Sequence, residues 1–338
     1  MSDIFIGAGR HITFKKSGKI LPQDTENLKP DEAQNLITCL YALANRSMDK
    51  YYETGDYDFP VTVPGLARFR VNTYRQRSTM AAIIRVVLFS IPSYKDLRIP
   101  DEVMRIAEET RGMVLVTGPA GGGKTTTLAC VIDAINNSRN CHIITLEDPI
   151  EFLHRDNMSL VSQREISTDT DSYMIALRAC LRQAPDIILL GEMRDHETIK
   201  TAMTAAETGH LVISTLHTIG AANTIDRIID IFPPEQQQQV RVQLSMVLKM
   251  VVTQKLIPNM ENKSVPAFEI MRVNNAISNL IREGKTHQID NVIQTSAQEG
   301  MISMDGYVTK LFKNGEITAD TALASAINVE TMRKQVGL

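Results

Sequence analysis

The eight residues Gly118-Pro119-Ala120-Gly121-Gly122-Gly123-Lys124-Thr125 match the pattern G-x-x-x-x-G-K-[ST] at every defined position. An apolar run at 113–116 precedes them, and a segment of helical character follows. Strand, glycine loop, helix is the order in which this pattern binds phosphate. Glycines let backbone N–H groups turn inward around phosphate oxygens. The helix starting near Lys124 points its positive end at the same anion. The competing reading is a glycine-rich turn that binds nothing, and the flanking strand and helix weigh against it. On the phosphate reading, Gly118, Ala120, Gly121, Gly122, Gly123, Lys124, Thr125 and Thr126 surround a nucleotide. Lys124 is expected to bridge the β- and γ-phosphates, and Thr125 to place its hydroxyl on Mg2+. ATP and Mg2+ are therefore the expected ligands.

Further apolar strands are expected at 142–146, 187–190 and 211–215, with helical segments between them. Short, continuously apolar strands alternating with helices indicate an α/β fold, a parallel sheet covered on both faces. Ligands of such sheets bind beyond the carboxyl ends of the strands, and two acidic runs emerge there. In Asp186-Ile187-Ile188-Leu189-Leu190-Gly191-Glu192, the strand delivers Glu192 to that edge. A carboxylate there can hold the metal through water or polarise the attacking water. Arg194, two residues on, is a further candidate. In Leu146-Glu147-Asp148-Pro149-Ile150-Glu151-Phe152, three acids fall within five residues. They repel one another unless a cation or donors lie near, and nucleotide-bound Mg2+ supplies one. Asp148 and Glu151 are the candidates from this run. A loop acid and a solvated acidic turn are the bland alternatives for the two runs. His210 and His217 flank the strand expected at 211–216. His217, at its carboxyl end, is the candidate for sensing a γ-phosphate, whereas His210 reads as a packing or interface residue.

Residues 1–95 read as a small mixed domain, with strands at 4–6, 11–14, 59–63, 67–74 and 80–88 and a helix over 30–48. The stretch 91–100 holds two prolines and little periodicity, and the linker is placed at 96–100. The larger domain is expected over 101–338 and mostly helical after about 234. Between Asp58 and Asp96 there is no acid, but Arg68, Arg70, Arg75, Arg77, Arg85 and Lys95 are present. In Arg68-Phe69-Arg70 the two arginines share one face of a strand. Planar guanidinium groups suit phosphate oxygens, and an arginine supplied by a neighbouring subunit raises phosphoryl-transfer rates by ~10³–10⁵. A solvated basic face is the alternative.

Taken together these residues resemble the secretion ATPase superfamily, and most closely the type IV pilus retraction ATPases, the PilT family. The likeness spans nearly the whole chain. It is clearest over 116–127, 145–152, 181–195, 204–218, 224–233 and in Ala276-Ile277-Ser278-Asn279-Leu280-Ile281-Arg282-Glu283. That family calls the run after the strand at Ile143 the Asp box, Asp186 to Glu192 the Walker B motif, and Glu207 to His217 the His box. The resemblance implies an N-terminal PAS-like α+β domain followed by a RecA-like P-loop ATPase domain with a helical C-terminal part. It also implies a homo-hexamer in which Arg70 and Arg85, with Arg68 beside them, reach the adjacent subunit's nucleotide. Glu151 and Glu192 become the essential carboxylates, with the division between aligning water and holding metal left open, and His217 lies near the γ-phosphate. The implied work is pilus retraction and twitching motility, driven against an inner-membrane platform protein from the cytoplasmic side of that membrane. Three departures stand out. Ser278 replaces the usual arginine of the A-I-R-N-L-I-R-E segment. Ala120, Gly122 and Thr125 replace threonine, serine and serine in the loop. The N-terminus is shorter than usual.

Composition narrows the alternatives. A net charge of −3, no tryptophan and 5% aromatic residues argue against a nucleic-acid motor. No apolar run is long enough to span a bilayer, and the first residues lack a signal-peptide pattern, so a cytoplasmic chain without membrane insertion is expected. Four cysteines, Cys39, Cys130, Cys141 and Cys180, form no C-x-x-C pair. Pilus assembly and type II secretion ATPases usually carry a four-cysteine metal site and a longer N-terminal region. Type IV secretion ATPases share the boxes but usually lack the segment at Ala276. A regulatory ring that binds ATP without moving anything is disfavoured by the retained Lys124, Glu151, Glu192 and arginines.

Overall fold

The computed structural model describes residues 3–16, 19–23, 26–63, 66–87 and 91–337. The chain forms two compact units, Met1–Ser90 with Ile150–Leu153, and Ile91–Pro149 with His154–Leu338.

The first unit holds strands β1 (Asp3–Gly7), β2 (Thr13–Lys16) and β3 (Lys19–Pro22), helices α1 (Pro30–Leu43) and α2 (Asp49–Thr54), then β4 (Asp56–Val63), β5 (Ala67–Gln76) and β6 (Thr79–Val87). The strands make one antiparallel sheet in the order β3-β2-β1-β6-β5-β4. Side chains alternate across it. Phe59, Val61, Val71, Ala82 and Ile84 form a core with Ala33, Ile37 and Tyr41 of α1, so the helix covers that face. Arg70 and Arg85, directly opposite each other in the β5–β6 ladder, lie on the other. The helix expected over 30–48 stops at Leu43, and α2 begins after a short break. Leu88, expected to end the last strand, lies outside the described residues.

The second unit opens with α3 (Asp101–Met104), continued by a 3-10 turn at Arg105–Glu108, and β7 (Gly112–Thr117). There follow α4 (Lys124–Ser138), β8 (His142–Glu147), β9 (Leu160–Glu165), α5 (Tyr173–Cys180), β10 (Ile187–Leu190), α6 (His196–Glu207) and β11 (Leu211–Leu216). Next come α7 (Ala221–Asp230), α8 (Pro234–Val247), β12 (Leu248–Pro258), β13 (Ser264–Arg272) and α9 (Asn275–Glu283). The last helices are α10 (Ile289–Thr295), α11 (Met304–Lys313), α12 (Ala319–Ser325) and α13 (Val329–Val336). The seven strands form one sheet, β13-β12-β7-β11-β10-β8-β9, parallel except for the final β12–β13 hairpin. All six residues of β7 are buried. Met113 and Leu115 face one core, with α5 to α10, while Val114 and Val116 face another, with α3 and α4. A strand buried on both sides has no reason to alternate in polarity, which explains its continuous apolar run.

Three features lie beyond the sequence reading. The region after 234 is mostly helical, as expected, and in addition supplies β12 and β13, which complete the sheet beside β7. β9 forms the opposite edge and is half polar, as an edge strand can be. The two-proline stretch packs on the second unit. Ile99 is buried, and Ile91, Tyr94 and Leu97 pack on the same core as Val103. Among the described residues, no helix is long and apolar enough to cross a membrane.

Candidate functional site

The glycine loop leaves β7 at Thr117 and enters α4 at Lys124. Gly118, Gly121 and Gly123 all have positive φ, at 135°, 72° and 86°. Gly118 shows why glycine is required. A Cβ there would lie 2.0 Å from the carbonyl oxygen of Gln254 on β12. Beside Gly121 there is no atom within 4 Å of a Cβ position, so the loop's crest is open. α4 begins without a side-chain cap and without an acid in its first turn, leaving its free N–H groups and its positive end to an anion. Thr125 and Thr126 are the next residues of that turn. Lys124 is 7% exposed and donates from Nζ to the carbonyls of Gly118 and Pro119, both at 2.9 Å. Burial pulls its ammonium below the usual lysine range, against the raising influence of the Glu192 carboxylate. The lysine is thus folded into the loop it serves.

Gln254 is the anchor the sequence reading missed. It is 3% exposed and accepts a 2.7 Å hydrogen bond from Thr127 Oγ1, while Thr117 and Thr253 hydroxyls meet at 2.9 Å. Both pairs tie the two ends of the loop to β12. The available signal was a polar residue inside the β-branched run Val251-Val252-Thr253. Beside the first turn of α4 opens a cleft of about 490 Å3, bounded by Leu97, Ile99, Thr126, Gln254, Leu256 and Pro266. Its walls mix apolar and amide groups with the charged Asp96, Arg98, Glu261 and Lys263.

The carboxyl ends of β8, β10 and β11 bring the other elements together. Glu192 follows β10, and its carboxylate lies 2.5 Å from Arg194 Nη2 and 3.6 Å from His217 Nε2, at the end of β11. Glu192 is 13% exposed, Arg194 73% and His217 57%. The acid is therefore fixed in the floor while its partners reach solvent. Glu147 is buried and accepts from Thr145 Oγ1 at 2.6 Å and Gln163 Nε2 at 3.2 Å. Asp148 beside it is exposed. Tyr173, also missed, marks where these charges converge. Burial pushes its phenol well up, and the Asp148, Glu192 and Glu147 carboxylates push it further. Its hydroxyl sits where a side chain on Gly191 would be, 2.7 Å from the Cβ position.

His210 is elsewhere. It stands at the amino end of β11, its Nδ1 2.9 Å from the Ala205 carbonyl. Glu151, with Arg68, Arg70 and Arg85, belongs to the first unit. There Arg70 Nε lies 3.5 Å from Asp58 and Arg85 Nε 2.9 Å from Asp3. Glu269 on β13 is a third unforeseen residue. Buried at 3% exposure, it accepts from Ala221 N at 2.7 Å and Met304 N at 3.4 Å, the first residues of α7 and α11. Burial raises its pKa.

The donors around the loop are oxygens from hydroxyls and carboxylates, the choice of a hard cation such as Mg2+. Among the described residues no group of three His, Cys, Asp or Glu could hold a metal.

Comparison with known proteins agrees with this arrangement. The family described as Type II/IV secretion system protein matches residues 3–310. A twitching motility protein of Neisseria gonorrhoeae is 45% identical over 90% of this chain and 81% of its own length. A type IV pilus retraction ATPase, PilT, of Pseudomonas aeruginosa is 43% identical over 96% of this chain and 94% of its own. Among solved structures, the crystal structure of the pilus retraction motor PilT with bound ADP superposes with a TM-score of 0.92. It is 42% identical and covers 98% of this chain and 95% of that one. With the family model matching residues 3–310 and a relative 43% identical over 96% of this chain, the chain belongs to the type II/IV secretion system protein family.

Proposed function

We propose that the chain is the ATPase motor of type IV pilus retraction, hydrolysing ATP to return pilus subunits to the membrane. One observation carries the reading. A pilus retraction motor crystallised with ADP shares this fold over nearly its whole length, and the loop that would hold its nucleotide is intact here.

The residues divide the work as follows. Backbone N–H groups of Gly121 to Thr125 surround the β-phosphate, and Lys124 swings from its two carbonyls to the β- and γ-oxygens. Thr125, and Glu192 through water, would hold Mg2+, which when bound would supply charge neutralisation at the phosphates. Glu192 and Glu151 provide the carboxylates that align the attacking water and hold the metal's shell. His217, 3.6 Å from Glu192, reads the γ-phosphate. Arg194 holds Glu192 in place. The chain assembles as a homo-hexamer, in which the PAS-like N-terminal domain of one copy lends Arg70 and Arg85 to the nucleotide of the next. Hydrolysis then shifts small domains against large ones, and the ring pulls an inner-membrane platform protein from the cytoplasmic face.

Deleting the gene in its host is the deciding experiment. A retraction motor predicts more surface pili and no twitching, restored by the native gene but not by Lys124→Ala. Loss of pili on deletion would mean an assembly ATPase instead.

A further inference from the structure

In the first unit four charged residues stand in one cross-strand row: Lys15, Asp3, Arg85 and Arg70, on β2, β1, β6 and β5. Arg85 and Arg70 are directly opposite each other, a pairing that like charges disfavour. Two carboxylates bracket the pair. Asp3 is 7% exposed and lies 2.9 Å from Arg85, which is 67% exposed. Asp58 lies 3.5 Å from Arg70 and is itself steadied by Asn72 Nδ2 at 3.2 Å. In both pairs the approach is through Nε, a hydrogen bond from Arg85 to Asp3 and a looser ion pair from Arg70 to Asp58. Among the described residues neither arginine forms another ion pair. A guanidinium held side-on keeps its two Nη groups, with their paired donors, pointing away from the clamp.

We propose that Asp3 and Asp58 are positioning residues that hold Arg85 and Arg70 by Nε, so that both terminal forks are presented together to the phosphates of a neighbouring copy's nucleotide. The two aspartates offset the repulsion between the adjacent arginines, and a transferring phosphoryl group, an anion of more than one charge, can meet both terminal forks at once. Asp3 is the stronger clamp, because it is buried and closer. This inference rests on the trans-acting role proposed for the two arginines.

The test uses the full chain at concentrations where it assembles. Asp3→Asn keeps the shape and removes the charge. It is expected to lower kcat about tenfold, the scale of a misplaced catalytic group. KM, melting temperature and the nucleotide affinity of the unassembled chain are expected to stay unchanged. It should also weaken the gain in affinity that orthovanadate gives to bound ADP, since that complex mimics the transferring phosphoryl group. Introduced into Arg85→Ala, it should cost nothing more. Normal kcat and vanadate response in Asp3→Asn, or a full additional loss in the Arg85→Ala background, overturns the proposal. If Asp3→Asn unfolds, Asp58→Asn, at a half-exposed acid, decides by the same comparison with Arg70→Ala, with a loss of a few-fold expected. Arg70→Ala and Arg85→Ala variants that hydrolyse normally would overturn the trans-arginine reading and this inference together. Impaired arginine variants beside normal aspartate variants overturn only the inference.

Discussion

Gly118 shows how one residue fixes the loop. Its φ of 135° and the Gln254 carbonyl, 2.0 Å from where a Cβ would sit, leave no room on either account. Gly118→Ala must push backbone against backbone. It is expected to cost more than ~2 kcal/mol of stability and to abolish nucleotide binding. Denaturant unfolding with a fluorescent ATP analogue checks both, and wild-type binding would mean the loop is not pinned by β12. The places of Lys124 and Thr125 at the start of α4, and of Glu192 just after β10, were legible in the sequence, because strand, loop and helix order fixes where they emerge. Gln254, Tyr173 and Glu269 were not. Each acts across a long sequence separation, Gln254 on Thr127 and Glu269 on Ala221, and no local pattern announces such a partner. The arginines illustrate both sides. Their basic run is evident in the sequence, but Asp3, 82 residues from Arg85, is brought there only by the β1–β6 ladder.

At the scale of elements, the parallel core strands were readable because burial on both faces leaves an apolar run with no alternation. β12 was not, because it follows α8 without a turn signal and its partner β7 lies far back in the chain. The connection from β8 to β9 carries a titratable group of its own. His154 is partly buried there, its backbone N–H donates to Gln163 Oε1 at 2.8 Å, and among the described residues its buried Nδ1 has no hydrogen-bond partner. Burial pushes its pKa down to about 4. The folded state therefore binds fewer protons than the unfolded chain between the ordinary histidine value of about 6.5 and that depressed one. The stabilisation is complete above the unfolded value and is lost as pH falls through the window, on the order of 3 kcal/mol in all. His154→Gln is expected to flatten the stability profile across that window, measured by denaturant unfolding from pH 7.5 to 4. An unchanged slope would place the acid sensitivity elsewhere.

For the whole molecule, the decisive question is whether one copy completes another's site. Lys124→Ala lacks the phosphate grip but keeps its arginines, and Arg70→Ala is the reverse. If the site is shared, each variant alone is nearly inactive. Mixing them restores part of the hydrolysis, because some boundaries then join an intact loop to an intact arginine. Phosphate release measured against mixing ratio tests this, and a flat line would confine catalysis to single chains.

Glu269 starts α7 with one carboxylate oxygen and α11 with the other. The segment that follows His217 and the terminal helices are therefore moored to one post inside the sheet. Losing that single side chain would fray two helices from the same end at once, so damage beside His217 and damage at the terminal helices are inseparable.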